Sequence, residues 1–171
     1  MAAAAPTFEE LLRGSQNAAL HLEMRDGYSL TDPAFIAWQA SEAIDPAERW
    51  PQWFELLRPV VARGVQVRRA RVVSEPVSDY IRFEHAITAA LNIAAGEEVR
   101  WLPRRQASDI ALPGNDFWLF DDRSVMLNHF SGSGESVAHE VTDNRALLKL
   151  CASAFLAVWE RAIPHKDYQP V

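Results

Sequence analysis

The densest group of ionisable side chains lies in the segment SEPVSDYIRFEH, residues 74–85, which combines carboxylates, a guanidinium and an imidazole in Glu75, Asp79, Arg82 and His85. The segment follows an apolar strand pattern and opens a helix pattern. In open α/β sheets, ligands bind outside the carboxyl ends of strands, and a helix N-terminus adds free amide donors. The sequence therefore predicts a ligand or partner site at this corner, or an unrecognised polar active site.

A structural interpretation of the same corner is the favoured one, because charged caps are common and ligand sites are few. Ser78 or Asp79 can cap the helix, because short polar side chains accept hydrogen bonds from first-turn amides. Arg82 can pair with a carboxylate and fasten the corner between strand and helix.

A second candidate is GNDFWLFDDRSVMLNHF, residues 114–130, in which two apolar strand patterns flank adjacent aspartates. Asp121 and Asp122 can be interpreted as paired carboxylates for acid–base chemistry or for a divalent cation. Adjacent strand residues point to opposite faces, however, so a hairpin turn is the favoured interpretation. Asp116, Trp118 and Asp121 remain candidates for contacts to a ligand or partner.

Other catalytic signals are weak. The five histidines have no metal-ligand spacing, and there is a single cysteine, so we predict no metal site. The SGSGE segment, residues 131–135, lies between two strand patterns and differs from a serine-nucleophile elbow. No glycine-rich phosphate loop precedes a helix, and we predict no cofactor.

Composition restricts the class of protein. The chain has 171 residues and a formal net charge of −6, which disfavours direct nucleic-acid binding. The lone cysteine, Cys151, cannot form an internal disulfide, and no stretch approaches the length of a membrane span. We expect a cytoplasmic protein that does not contact membranes.

The elements that must position these residues form one domain, residues 1–171. Residues 7–64 contain helix patterns and the strand pattern AALHLEMRD, residues 65–141 supply the sheet core, and residues 143–163 form a last helix beginning at Asp143. This order predicts an α/β (α+β) fold with helices packed on a mixed sheet. We expect the tail HKDYQPV to be loosely ordered. Three tryptophans are expected in the core, namely Trp53, Trp101 and Trp159. The other three are expected to be exposed, namely Trp38, Trp50 and Trp118.

Several segments together resemble an uncharacterised actinobacterial family of single-domain proteins. They are RRARVVSEPVSDYIRFEH, EEVRWLPR, DFWLFDDRSVMLNHF and the closing HKDY. Members of that family are commonly encoded beside helix-turn-helix regulators. The resemblance implies a cytoplasmic partner in a transcriptional circuit and supplies no activity.

The order of elements also resembles one phospholipase D-like half. Catalytic members of that superfamily carry a histidine, a lysine two residues later and an aspartate seven residues after the histidine. If Asp121 takes the aspartate position, Gly114 and Asp116 stand in the histidine and lysine positions. The resemblance thus implies a fold without its covalent nucleophile, and with an anion where the phosphate needs a cation.

We therefore predict a non-catalytic regulatory or adaptor module. It would bind a protein partner, such as a helix-turn-helix regulator, or a small ligand, and an edge strand can pair with a second copy to form a homodimer. The alternative is an enzyme or toxin-like effector that uses the polar corner at residues 74–85.

Overall fold

The strand patterns of the sequence form one seven-stranded sheet in a computed structural model that describes residues 5–171. Its strands are β1 (Ala18–Glu23), β2 (Gln66–Val73), β3 (Glu98–Pro103), β4 (Asp116–Phe120), β5 (Ser124–Phe130), β6 (Ser136–Thr142) and β7 (Ile163–Pro164). They lie in the order β6-β5-β4-β1-β2-β3-β7. Strands β1, β2 and β3 are parallel, and the remaining pairs are antiparallel.

Six α-helices connect and cover the strands. They are α1 (Phe8–Gly14), α2 (Pro33–Gln39), α3 (Pro46–Arg49), α4 (Pro51–Ala62), α5 (Asp79–Thr88) and α6 (Arg145–Arg161). A π-helical turn, Ala89–Ile93, extends α5. Thr7 and Glu10 form a capping box at the start of α1, and Asp32 caps α2 ahead of its proline. The last helix is capped by Asn144, not by Asp143, because the Asn144 side chain accepts from the amides of Ala146 and Leu147.

The predicted hairpin around the twin aspartates is confirmed. Phe117 pairs with Leu127 and Leu119 with Val125, in the same sheet as β2. The mixed sheet with helices packed on it also confirms the predicted fold class. None of the helices in residues 5–171 combines the length and apolar character that a membrane span requires.

The two faces of the sheet have different helical covers. On one face, Leu22, Ala70 and Phe117 pack with Phe155 and neighbouring residues of α6. On the other face, apolar residues near the start of β1 and β2 pack under α1 and α4. Because strand side chains alternate between faces, residues 21, 23, 69 and 71 point to this second side, beyond its apolar cluster. The second face therefore carries the polar groups of the central strands.

The predictions of a loosely ordered C-terminal tail and of an exposed Trp118 were wrong. The tail is docked, because the Tyr168 ring stacks on Trp101 at 5.5 Å and is buried, and the Val77 amide donates to the Val171 carbonyl. Trp118 is also buried, because it pairs across the sheet with His21 and stacks on that imidazole at 4.2 Å. Trp101 and Trp159 are core as predicted. Trp53, predicted to be core, and Trp38 and Trp50, predicted to be exposed, are all half-buried.

Candidate functional site

Buried charges from the two central strands meet on the second face of the sheet. Glu23 of β1 lies opposite Arg71 of β2. Its two carboxylate oxygens accept from Arg69 Nη1 at 2.6 Å and from Arg71 Nε at 2.5 Å. All three side chains are at least nine-tenths buried. We call Glu23, Arg69, Arg71 and the attached Glu97 the buried ion network.

The arginines of this network have further partners. Arg69 Nε donates to Glu97 at 2.8 Å, and Arg71 Nη1 donates to the Thr88 hydroxyl at 2.7 Å. Glu97 also accepts from Asn92 of the π-helical turn and from the Trp53 indole. The positive charges therefore act chiefly on resident carboxylates, which makes this cluster a poor receptor for a phosphate.

The two guanidinium groups dominate the electrostatics of Glu23. Burial alone would raise the pKa of Glu23, but Arg69 and Arg71 outweigh it and hold that pKa well below its usual range. Glu23 is therefore the fixed anion that joins the two arginines.

Glu84 of α5 lies beside the buried ion network, but its carboxyl group is poorly hydrogen-bonded. It is 9% exposed, and its Oε1 lies 3.7 Å from Arg71 Nη2, too far for a hydrogen bond. Its buried Oε2 has no hydrogen-bond partner among residues 5–171. Burial raises the pKa of Glu84 to about 7, although Arg71 opposes that shift. The carboxyl group thus changes its charge near neutral pH.

A pocket of about 290 Å³ lies beside these groups, and we call it the aromatic pocket. It is bounded by α5, the π-helical turn and the start of α4, with Arg69 and Arg71 of β2 also in its lining. Its aromatic walls are Trp50, Trp53, Tyr80 and Phe83, its apolar end is Ile87 and Leu91, and its polar groups are Asp32, Gln52, Arg69, Arg71, Glu84 and Asn92. A concave, mostly apolar site with a few convergent polar groups is typical of small-molecule binding.

His21 lies in a second pocket, of about 300 Å³, that shares Trp53 and Arg69 with the aromatic pocket. The imidazole is buried, and neither ring nitrogen has a hydrogen-bond partner among the described residues. Burial and the Arg69 charge lower the pKa of His21 well below its usual value. His21 is therefore a neutral side chain at physiological pH.

The residues of the predicted polar corner are spread over different surroundings. Glu75 accepts from the Tyr168 hydroxyl, and the His85 ring lies 3.2 Å from the Tyr168 carbonyl oxygen, so both contact the docked tail. Asp79 and Arg82 are exposed. The Ser78 hydroxyl accepts from the Ile81 amide, which confirms the capping interpretation for this serine. Arg82 forms no ion pair with a carboxylate of residues 5–171.

Asp116 lies on the same face as the buried ion network, and Trp118 lies in the second pocket. One Asp116 carboxylate oxygen accepts from the Met24 amide at 2.8 Å, and the other accepts from the Tyr28 hydroxyl. Burial raises the pKa of Asp116 to about 6, although the Tyr28 hydrogen bond lowers it. Asp116 therefore joins β4 to the loop after β1.

Asp121 connects the hairpin to the first strand. Its carboxylate accepts from the amides of Gln16, Asn17 and Ala18 at 2.8–2.9 Å. Asp121 and Asp122 both have positive φ, a conformation that aspartate tolerates in tight hairpin turns. No group of three or more His, Cys, Asp or Glu residues within 5–171 can hold a metal ion.

Asp121→Asn should lower the free energy of unfolding by about 1–2 kcal/mol, because a charged acceptor of backbone amides is replaced by a neutral amide with one acceptor oxygen. Urea denaturation at pH 7 measures the change. Asp122→Asn is the matched control, since Asp122 shares the positive φ but is exposed, and we expect a change within about 0.5 kcal/mol. Equal losses in the two variants would contradict the structural role of Asp121.

Sequence reasoning missed the buried ion network. The apolar strand pattern ahead of residues 74–85 predicts a strand and nothing more, although Arg69 and Arg71 lie two residues apart on one face of it. Charged residues at alternate positions of a β-branched strand between two helices were the available signal, because buried charges in such a place require partners.

Comparison with known proteins gave a family and a structural likeness. The family model described as Domain of unknown function (DUF6879) matches residues 6–170. A crystal structure of Nuc, a phospholipase D family member from Salmonella typhimurium, is similar at 11% sequence identity and a TM-score of 0.49, over 91% of this chain and 86% of that chain. The search of curated proteins found no match.

Proposed function

Because the chain belongs to the family described as Domain of unknown function (DUF6879), we propose its function from its own side chains: a non-catalytic regulatory module that binds a small ligand in the aromatic pocket. A ligand there would contact Glu84 and the aromatic walls between α5 and α4. Ligand occupancy would then change how the module presents its surface to a protein partner.

The observation that carries the proposal is the Glu84 carboxyl in the lining of the aromatic pocket, whose buried Oε2 has no hydrogen-bond partner among residues 5–171. Leaving a buried polar group without a hydrogen bond costs about 1–3 kcal/mol, and more for a charged group. Buried carboxyls with such a deficit and a shifted pKa are concentrated at functional sites. A ligand that satisfies Glu84 would recover this free energy on binding.

The non-catalytic part of the proposal is supported by how reactive groups are held. Cys151 is completely buried in the core under α6, and burial raises the pKa of its thiol to about 11, so a thiolate nucleophile is scarce at neutral pH. Asp116 and Asp121 are occupied with backbone amides. These carboxylates therefore serve the fold.

A protein partner is supported by the edge of the sheet. β6 is an edge strand, and its Val137 side chain is 62% exposed. Open edge strands pair with added strands, from another protein or from a second copy. A helix-turn-helix regulator remains our proposed partner on the strength of the family resemblance, with a homodimer as the other outcome of pairing.

A fragment screen by two-dimensional NMR on the full chain tests the ligand proposal. We expect hits that shift the amide signals of α5 and the start of α4, and we expect Gln52→Trp to weaken them at least tenfold, because Gln52 is exposed at the pocket rim. Arg82→Trp is the control, since it adds the same ring on an exposed site of α5 that does not line the aromatic pocket.

A screen without hits in the aromatic pocket, or hits unaffected by Gln52→Trp, would refute the proposal.

The effector alternative gives a different result. If expression is toxic and Asp79→Ala with Arg82→Ala removes the toxicity from a folded protein, the polar corner at residues 74–85 is an active site and the module is not a passive binder.

A further inference from the structure

We infer that the ligand of the aromatic pocket is a small organic cation, an amine or quaternary ammonium group on a compact apolar body. This inference rests on the proposed function and names its ligand class. It depends on three properties of the pocket: its charge balance, its aromatic walls and its size.

The charge balance around the pocket is negative. Asp32 and Glu84 line it directly, and the two lining arginines are already shared with Glu23 and Glu97. Four carboxyl groups thus surround two guanidinium groups, so an added cation is attracted and an added anion is repelled once Glu84 is ionised. An anionic ligand would also compete with Glu23 and Glu97 for arginine hydrogen bonds that are short and buried.

The aromatic walls favour the same charge. Trp50, Trp53, Tyr80 and Phe83 line the pocket, and the faces of aromatic rings attract cations by about 0.5–2 kcal/mol per contact. One such contact already exists in the lining, since the Arg69 guanidinium lies 5.8 Å from the Trp53 ring centroid. A cation between the walls and Glu84 would receive both kinds of attraction.

The third property is size. A volume of about 290 Å³ suits a single compact molecule rather than a chain of residues or a nucleotide. Glu84 supplies what a cage of aromatic rings alone lacks: a buried carboxyl oxygen, Oε2, that has no hydrogen-bond partner within residues 5–171.

Probes of similar size and shape that differ in charge test the ligand class. The first set is choline, its uncharged carbon isostere 3,3-dimethylbutan-1-ol and the anion 3,3-dimethylbutanoate, and the second is benzylammonium, benzyl alcohol and benzoate. Titrations followed by NMR at pH 8 should show each cation binding at least tenfold more tightly than its neutral isostere, with the anions weakest.

The outcomes separate the two proposals. Neutral or anionic probes that bind the aromatic pocket as tightly as the cations would overturn the cation inference and leave the small-ligand function standing. The same holds if the general screen finds pocket ligands but no cation among them. If neither the probes nor the screen yields a pocket ligand, both proposals fail.

Glu84→Gln identifies the contribution of the carboxylate. We expect this variant to bind the cations at least tenfold more weakly at pH 8 and to lose the weakening that the natural protein shows between pH 8 and pH 6. Glu98→Gln is the control, because Glu98 is an exposed carboxylate of β3 that pairs with Arg68 outside the pocket, and the affinity of this variant should stay unchanged. Equal affinities in the Glu84→Gln and Glu98→Gln variants would overturn the inference.

Discussion

Glu23→Gln is expected to lower the free energy of unfolding by about 3–5 kcal/mol, which is the usual cost of removing one partner from a buried ion pair. Glu23 accepts from both Arg69 and Arg71, and each of these contacts is 2.6 Å or shorter. A neutral amide in its place leaves two buried guanidinium groups with Glu97 as their only hydrogen-bonded carboxylate among residues 5–171. The loss is large because both arginine side chains are at least nine-tenths buried.

Urea denaturation at pH 7 measures this change, and Glu98→Gln is again the matched control. Glu98 makes the same type of bond, to Arg68 on the neighbouring strand at 3.2 Å, but its side chain is 55% exposed. Surface ion pairs contribute about 0–1 kcal/mol, so the control should unfold almost as the natural protein does. A loss below about 1 kcal/mol for Glu23→Gln would show that water reaches the network and that its charges are not buried in solution.

Local signals in the sequence predict the elements of this fold well. Thr7 with Glu10, Asp32 before Pro33, and the twin aspartates between alternating strands each specify a cap or turn through residues a few positions apart. Such signals do not depend on tertiary contacts with distant parts of the chain. The strand and helix order, and with it the fold class, followed from them.

The candidate site depends on contacts that local patterns do not encode. Arg69 and Glu23 are separated by 46 positions, and Trp118 is buried because it is paired with His21 across the sheet. Tyr168 was expected in a loose tail, yet it fills a place on Trp101 that exists only once β3 is formed. Sequence reasoning identified the polar residues at the start of α5, where polar side chains are common. It missed the charged residues of the buried ion network, which are unusual because they are buried.

Glu84→Gln is expected to make the protein more stable above neutral pH while leaving it nearly unchanged in mild acid. The folded protein holds the proton of Glu84 up to a pKa of about 7, whereas the unfolded chain releases it near 4.5. Protonation therefore favours the folded state below pH 4.5, and this contribution is lost as the pH rises through 7. The shift corresponds to on the order of 3 kcal/mol.

The charged and titratable groups around Glu84 give the sign of this prediction. Burial is the largest cause of its raised pKa, Arg71 and Arg69 favour its ionised form, and Glu23 and Asp116 oppose it. Tyr28 and Tyr80 nearby stay neutral, because burial raises the pKa of each hydroxyl above its usual value. The sum of these effects makes the ionised Glu84 carboxylate unfavourable in the folded protein. A neutral amide of the same shape should therefore be better tolerated at pH 8.

Urea denaturation at pH 5 and pH 8 measures the effect as a difference between Glu84→Gln and the natural protein. Taking that difference removes the contributions of Asp116 and His21 that both proteins share, and Glu98→Gln should show none. A difference that does not change with pH would mean that Glu84 titrates normally and that its lack of a partner has no cost. The difference should appear at pH 8 and disappear when a cationic ligand is added. That result would show that ligand binding offsets the destabilisation caused by the ionised Glu84 carboxylate.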